Sequence, residues 1–166
     1  MKTVLAFFVA ALAPAILMTL WYLYGQFDTF PSEDPHIWGR TRNFMILCVV
    51  ISLAHVLLLG VPAYAFLRWC KAVRWWSTIA SGFVVAMAPI AVWSWPLQYA
   101  DSRTSASFDG VQTMIDGAPT AAGWSQYAQG VLFFGACGAC SGLAFWLTAW
   151  ATGHNWSSHR TDLGGR

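Results

Sequence analysis

Charge is what this sequence has least of. Lys, Arg, Asp and Glu together make up 10% of its 166 residues, where soluble domains carry about 25%. A water-facing surface cannot be built from so few charges. Intrinsic disorder is excluded as well, because it needs low hydrophobicity and high net charge, and here 57% of residues are hydrophobic and the net charge is +2. The nine basic residues are scattered, so the clustered footprint of a nucleic-acid binder is missing. What remains is the composition of an integral membrane protein, with the bilayer as its first partner.

The charges are also absent from particular places. Val4–Tyr24, Phe44–Leu67, Ser77–Leu97 and Tyr127–Thr152 contain no Asp, Glu, Lys or Arg. Each stretch reaches the ~20 residues a helix needs to cross the hydrocarbon core. A lipid-exposed backbone must satisfy its own hydrogen bonds, and none of these runs shows the alternating polarity of a β-barrel strand. The expected fold is all-α: a polytopic bundle of four transmembrane helices over residues 1–152, with a tail over 153–166. The opening Met1-Lys2-Thr3 has the look of a secretory signal. No polar region follows Ala15, however, so it reads as an uncleaved first span.

Basic residues give the orientation. With both termini and the 68–76 turn on one side, that side holds Lys2, Arg68, Lys71, Arg74, Arg160 and Arg166, and its only acid is Asp162. The other side holds Arg40, Arg42 and Arg103 with Asp28, Glu33, Asp34, Asp101, Asp109 and Asp116. The positive-inside rule therefore places both ends in the cytoplasm of a bacterial inner membrane. Trp21, Trp93, Trp95 and Trp124 fall at the outer ends of the spans, and Trp69, Trp75, Trp76, Trp146 and Trp150 at the inner ends, as two aromatic belts. On this topology the Asn155-Trp156-Ser157 sequon faces the wrong side for glycosylation. His154 and His159 are too sparse for a metal site.

Inside the spans, three features stand out. Pro14, Pro62 and Pro89 interrupt the first three, with Gly60-Val61-Pro62 the expected sharp bend. His55 is the one strongly polar ionisable side chain, at the middle of the second span. It reads either as a functional group, with a small channel or transporter as the activity, or as helix glue bonded to Ser52 or a neighbouring carbonyl. The fourth span carries eight consecutive small residues, Gly135 to Gly142. At 100° per residue Gly135, Gly138 and Gly142 share a face and Cys137, Cys140 and Ala144 lie nearly opposite, so this helix should pack on two sides. Gly138 and Gly142 form the small-xxx-small pattern, suited to packing within the bundle, with self-association as the alternative.

Four spans and Cys137-Gly-Ala-Cys140 are similar to the quinone-linked thiol oxidoreductases of the vitamin K epoxide reductase and disulfide-generating membrane families. That resemblance implies redox work by Cys137 and Cys140. Such enzymes also need a second dithiol in an outer loop, and neither outer loop here contains cysteine. No HExxH, phosphate-cradling glycine loop or embedded Glu is present. No catalytic set, cofactor or metal is expected, and the preferred class is non-enzymatic.

Ala54-His55 through Pro62, Arg74-Trp75-Trp76-Ser77 through Gly82, and the small-residue run ending in Ala144-Phe145-Trp146-Leu147 resemble small four-span inner-membrane proteins of proteobacteria. The likeness covers the greater part of the chain and implies a fold. Proteins of that build include accessory subunits and immunity proteins against membrane-targeting toxins, which act by binding a protein partner. The outer loops, read as Gln26–Asn43 and Ala100–Gln126, are long for connectors. Asp101, Asp109 and Asp116 are the expected partner-binding acids, and Phe108, Val111 and Ile115 are spaced for one short surface helix.

Overall fold

The computed structural model describes residues 2–100 and 104–153. Asp101, Arg103, His154, His159, the 155–157 sequon, Arg160, Asp162 and Arg166 lie outside the described residues. The elements in chain order are α1 (Lys2–Thr29), α2 (Ile37–His55), a π-helical turn (Val56–Gly60), α3 (Val61–Trp69), α4 (Trp75–Trp93), a 3-10 turn (Pro96–Tyr99), β1 (Ala106–Phe108), β2 (Val111–Ile115), β3 (Ala118–Pro119) and α5 (Ala121–Ala151). Because α2, the π-turn and α3 are continuous, four helices are long and apolar enough to cross a membrane: Thr3–Thr29, Ile37–Trp69, Trp75–Gln98 and Ala121–Ala151.

The helices overrun the apolar stretches at their ends. α2 begins at Ile37, so Gly39-Arg40-Thr41-Arg42 is helical, and α5 begins at Ala121. The first outer loop, expected over Gln26–Asn43, is therefore only the seven-residue turn 30–36. Its length is not an argument for a recognition loop. Arg40 ties this turn down: it pairs with Asp34 and lies over the Phe30 ring, 4.2 Å from its centroid.

Ring and glycine contacts establish the helix directions. Tyr22 stacks on Phe44 and Phe27 meets Trp38, so α1 and α2 are antiparallel. Phe7 meets Phe145 and Trp21 meets Phe133, so α1 and α5 are antiparallel too. Gly142 lies on Thr78 and Gly135 on Phe83, and the Tyr127 hydroxyl donates to the Ala91 carbonyl (3.0 Å), which makes α4 antiparallel to α5. The bundle is up-down-up-down, with the 30–36 turn and the β-strands at one end and the 70–74 turn at the other.

Small residues make the close contacts. α1 buries Ala6, Ala10, Ala11 and Ala15, and α5 buries Gly135, Gly138 and Gly142. α5 packs on two neighbours, α4 on its glycine face and α1 through Ser141 and Phe145, whereas Cys140 on the expected opposite face is exposed. Phe7, Tyr64 and Phe145, with centroids 4.9 to 5.4 Å apart, join α1, α3 and α5 near the 70–74 end. The large apolar side chains point outward instead: Val92 is 78% exposed, Leu58 73% and Trp93 84%. The second span is the most apolar of the four, and its most apolar window buries no residue.

Candidate functional site

Two places bring sequence-predicted residues together. The first is a cavity of about 420 Å³ within the bundle, lined by all four spans. It exists because the four helices do not close evenly. α5 holds α1 and α4, and α1 holds α2, but α4 meets the second span chiefly through the π-turn and α3. A slot is left between α2 and α4. From Thr78 to Ile90 on its α4 wall it is about 18 Å long, at 1.5 Å of rise per residue. Its lining contains no Asp, Glu, Lys or Arg. Its volume lies in the range of small-molecule pockets, about 300–1,000 Å³.

His55 is in the wall of this slot, at the last residue of α2 where the π-turn begins. Its Nδ1 lies 3.2 Å from the Ile51 carbonyl oxygen, one turn back in the same helix, so this contact joins no second helix. The π-turn itself follows from Pro62. Proline has no N–H and its ring crowds the carbonyl four residues back, and one wider turn ahead of it relieves both. The bend expected at Gly60-Val61-Pro62 is thus a change of helical hydrogen-bonding over Val56–Gly60.

The cysteines separate. Cys137 and Cys48 line the slot, from α5 and α2, whereas Cys140 is exposed and is not part of the lining. All four cysteines are free thiols. Cys137 and Cys140 share one side of α5 by helical angle, but only Cys137 reaches the slot. Ser141 donates to the Ala10 carbonyl and ties α5 to α1 beside it. No group of three His, Cys, Asp or Glu side chains is close enough to hold a metal among the described residues.

The second place is the α4–α5 connection, and here the expected surface helix is wrong. Phe108, Val111 and Ile115 belong to a three-stranded antiparallel ribbon in the order β1-β2-β3. Its register pairs Phe108 with Val111 and Ile115 with Ala118, each across a two-residue turn. Asp109 (φ 50°) with Gly110 (φ 76°), and Asp116 (φ 48°) with Gly117 (φ 81°), make the two turns. Positive φ at both central residues matches the right-handed twist of a hairpin, and Asp-Gly is among the pairs that supply it. The two acids expected to bind a partner therefore have a conformational reason to be there. The Asp-Gly pairs were the readable signal, masked by the coincidence that 108, 111 and 115 also suit a helix face.

The ribbon is locked onto α5. Thr120, the helix N-cap, accepts from the Gly123 N–H (3.2 Å), donates through its hydroxyl to the Gln112 carbonyl (2.7 Å), and donates through its N–H to the Thr113 carbonyl (3.1 Å). A Cβ built on Gly123 would fall on that same Thr113 carbonyl. Trp95, Trp124 and Tyr127 pack edge to face beneath, with centroids 5.7 to 5.9 Å apart. Phe108 (59% exposed) and Val111 (54%) remain uncovered.

At the same end, the His36 N–H donates to the Asp34 carboxylate (2.9 Å). That hydrogen bond, aided by the Arg40 guanidinium and opposed by desolvation, holds Asp34 below its ordinary value of 3.8. A depressed folded-state value means that the stabilisation is complete above pH 3.8 and lost as the pH falls through the lower, folded-state value. The ¹⁹F signal of fluorotryptophan at Trp38, assigned with Trp38→Phe, should stay constant from pH 7 to about 4 and move only below that. Asp34→Asn should show the moved signal already at pH 7.

Comparison with protein-family models, curated proteins and solved structures finds no match to this chain.

Proposed function

We propose that this is a non-enzymatic protein of the bacterial inner membrane that works by binding a protein partner through its outer ribbon, with both chain ends in the cytoplasm. The ribbon is the observation that carries the reading. A segment that only joined two antiparallel helices would need about 2–8 residues, yet this one is folded into three strands and fastened to α5. It presents Phe108 and Val111 beside the outer edge of β1, which no other strand among the described residues pairs. In a two-residue hairpin the flanking pair bonds inward, so Ser107 turns its N–H and C=O outward, where an extended segment of another protein can add as a strand. Immunity against a membrane-active toxin is the most specific form of this reading.

A photoreactive amino acid at position 108, in cells and then in gentle detergent, should cross-link one protein. Ser107→Pro removes the outward donor and should abolish the adduct while leaving the melting temperature within about 2 °C. Cross-links to lipid alone, or an adduct unchanged by Ser107→Pro, would overturn the reading. Reporter fusions should place Trp75 in the cytoplasm and position 108 outside. The inverse result would remove the outer face on which the reading stands.

A further inference from the structure

The slot between α2 and α4 is surrounded, in the membrane placement proposed above, by lipid chains. An apolar molecule entering it gains nothing from the hydrophobic effect, because lipid tails are as apolar as leucine. A preferred occupant must therefore be told from lipid by a polar contact, and the slot offers few. The Ser141 hydroxyl donates to the Ala10 carbonyl and the Thr78 hydroxyl to the Trp75 carbonyl (2.8 Å). Ser52, Ser81 and Tyr64 also line the slot, and a hydroxyl both donates and accepts, so none of these selects for a donor.

His55 is different. A carbonyl only accepts, so the contact with Ile51 places the ring hydrogen on Nδ1. With the ring hydrogen on Nδ1, Nε2 is the lone-pair acceptor of that tautomer, and no described residue pairs with it. The slot lining holds no Asp, Glu, Lys or Arg. His55 sits roughly 16 Å from Phe44 along the helix, near the middle of the bilayer. Charged headgroups do not reach that depth, because a charge there is costly. A neutral hydroxyl is buried there at a far smaller cost than a charge, and a hydrogen-bond acceptor at that depth offsets part of it.

We propose that the slot binds a long-chain apolar alcohol, its hydroxyl donating to His55 Nε2 and its chain lying along the α4 wall between Thr78 and Ile90. Straight-chain and isoprenoid alcohols share this chemistry.

The test uses the full-length protein in phosphatidylcholine nanodiscs and a hexadecanol bearing a diazirine in its chain. Cross-links should map to the slot-lining parts of α2, α4 and α5. Unlabelled hexadecanol should compete about tenfold better than its methyl ether, which keeps the chain and loses the donor, one hydrogen bond in hydrocarbon being of that size. Whether hexadecanol or geranylgeraniol competes at the lower concentration identifies the chain type. His55→Leu should keep the labelling and erase the difference between alcohol and ether. His55→Gln, which restores an acceptor, should retain it. Equal competition by alcohol and ether in the wild type would overturn the proposal, even if His55→Leu fails to fold. An unchanged preference in His55→Leu would also overturn it, as would labels confined to the outward helix faces. None of these outcomes depends on the ribbon's partner, so the two readings fail separately.

Discussion

Gly138→Leu is expected to destabilise the bundle strongly by forcing α4 and α5 apart. A Cβ built on Gly138 falls on the Gly82 carbonyl oxygen and comes within 2.5 Å of the Ala86 Cβ, while one on Gly142 falls on the Thr78 carbonyl. What stands in the way is the backbone of α4, which cannot rotate aside as a side chain can, so the helices must separate along their whole contact. Overpacking costs typically 1–3 kcal/mol and occasionally more, and a backbone collision belongs at the top of that range. A loss of about 3 kcal/mol corresponds to roughly 6–12 °C in melting temperature for a chain of this size. Gly138→Ala should fall between this variant and the wild type. Gly82→Ala combined with Gly138→Ala should cost less than the sum of the two, because the first separation makes room for the second Cβ. Gly130→Ala is the control. No atom lies within 4 Å of the Cβ it would add, and it should be neutral or gain a few tenths of a kcal/mol. A melt in which Gly138→Leu matches Gly130→Ala would show that α4 and α5 do not touch at this face.

Gly123→Val is expected to release the ribbon from the bundle without unfolding the helices. The added Cβ would occupy the place of the Thr113 carbonyl, and Thr113 also receives the Thr120 N–H. Pushing β2 away therefore breaks the N-cap arrangement of α5 at the same time. Loss of an N-cap costs about 1 kcal/mol. The larger effect is local, since the hydrogen bonds from Thr120 to Gln112 and Thr113 fasten β2 to the start of α5. Limited proteolysis should cut between positions 104 and 119 at least tenfold faster in Gly123→Val than in the wild type, with the helical fragments left intact. On the proposed function, the partner adduct at position 108 should disappear with it. Thr120→Ala removes the side-chain cap but leaves the backbone approach possible, and its cutting rate should be intermediate. Equal rates in all three proteins would mean that the ribbon does not rest on the start of α5.

Much of this architecture was legible from residue types alone. Four uncharged stretches located four spans, and eight small residues in the fourth pointed to its close approach to two neighbours. The helices run on past the uncharged stretches, because hydropathy reports what hydrocarbon tolerates and helix continuation depends on hydrogen bonding. α2 runs back through Arg40 and Arg42 because their side chains leave the backbone ladder intact. The ribbon was readable in principle from Asp109-Gly110 and Asp116-Gly117. The apolar spacing of Phe108, Val111 and Ile115 suited two structures, and the turn residues discriminate between them because positive φ does not persist in a helix.

The candidate sites divide along the same line. That His55 stands alone at mid-span is a property of the sequence. That its ring lines a slot depends on which helix faces which. Cys137 and Cys140 are three residues apart in any helix, yet one lines the slot and the other is exposed. Composition and periodicity determined that this chain forms apolar helices, because each residue's affinity for hydrocarbon or water is its own. The tertiary structure decided the order of helices around α5, the side left open between α2 and α4, and the seating of the ribbon. Those depend on contacts between segments distant in sequence, which no local pattern encodes.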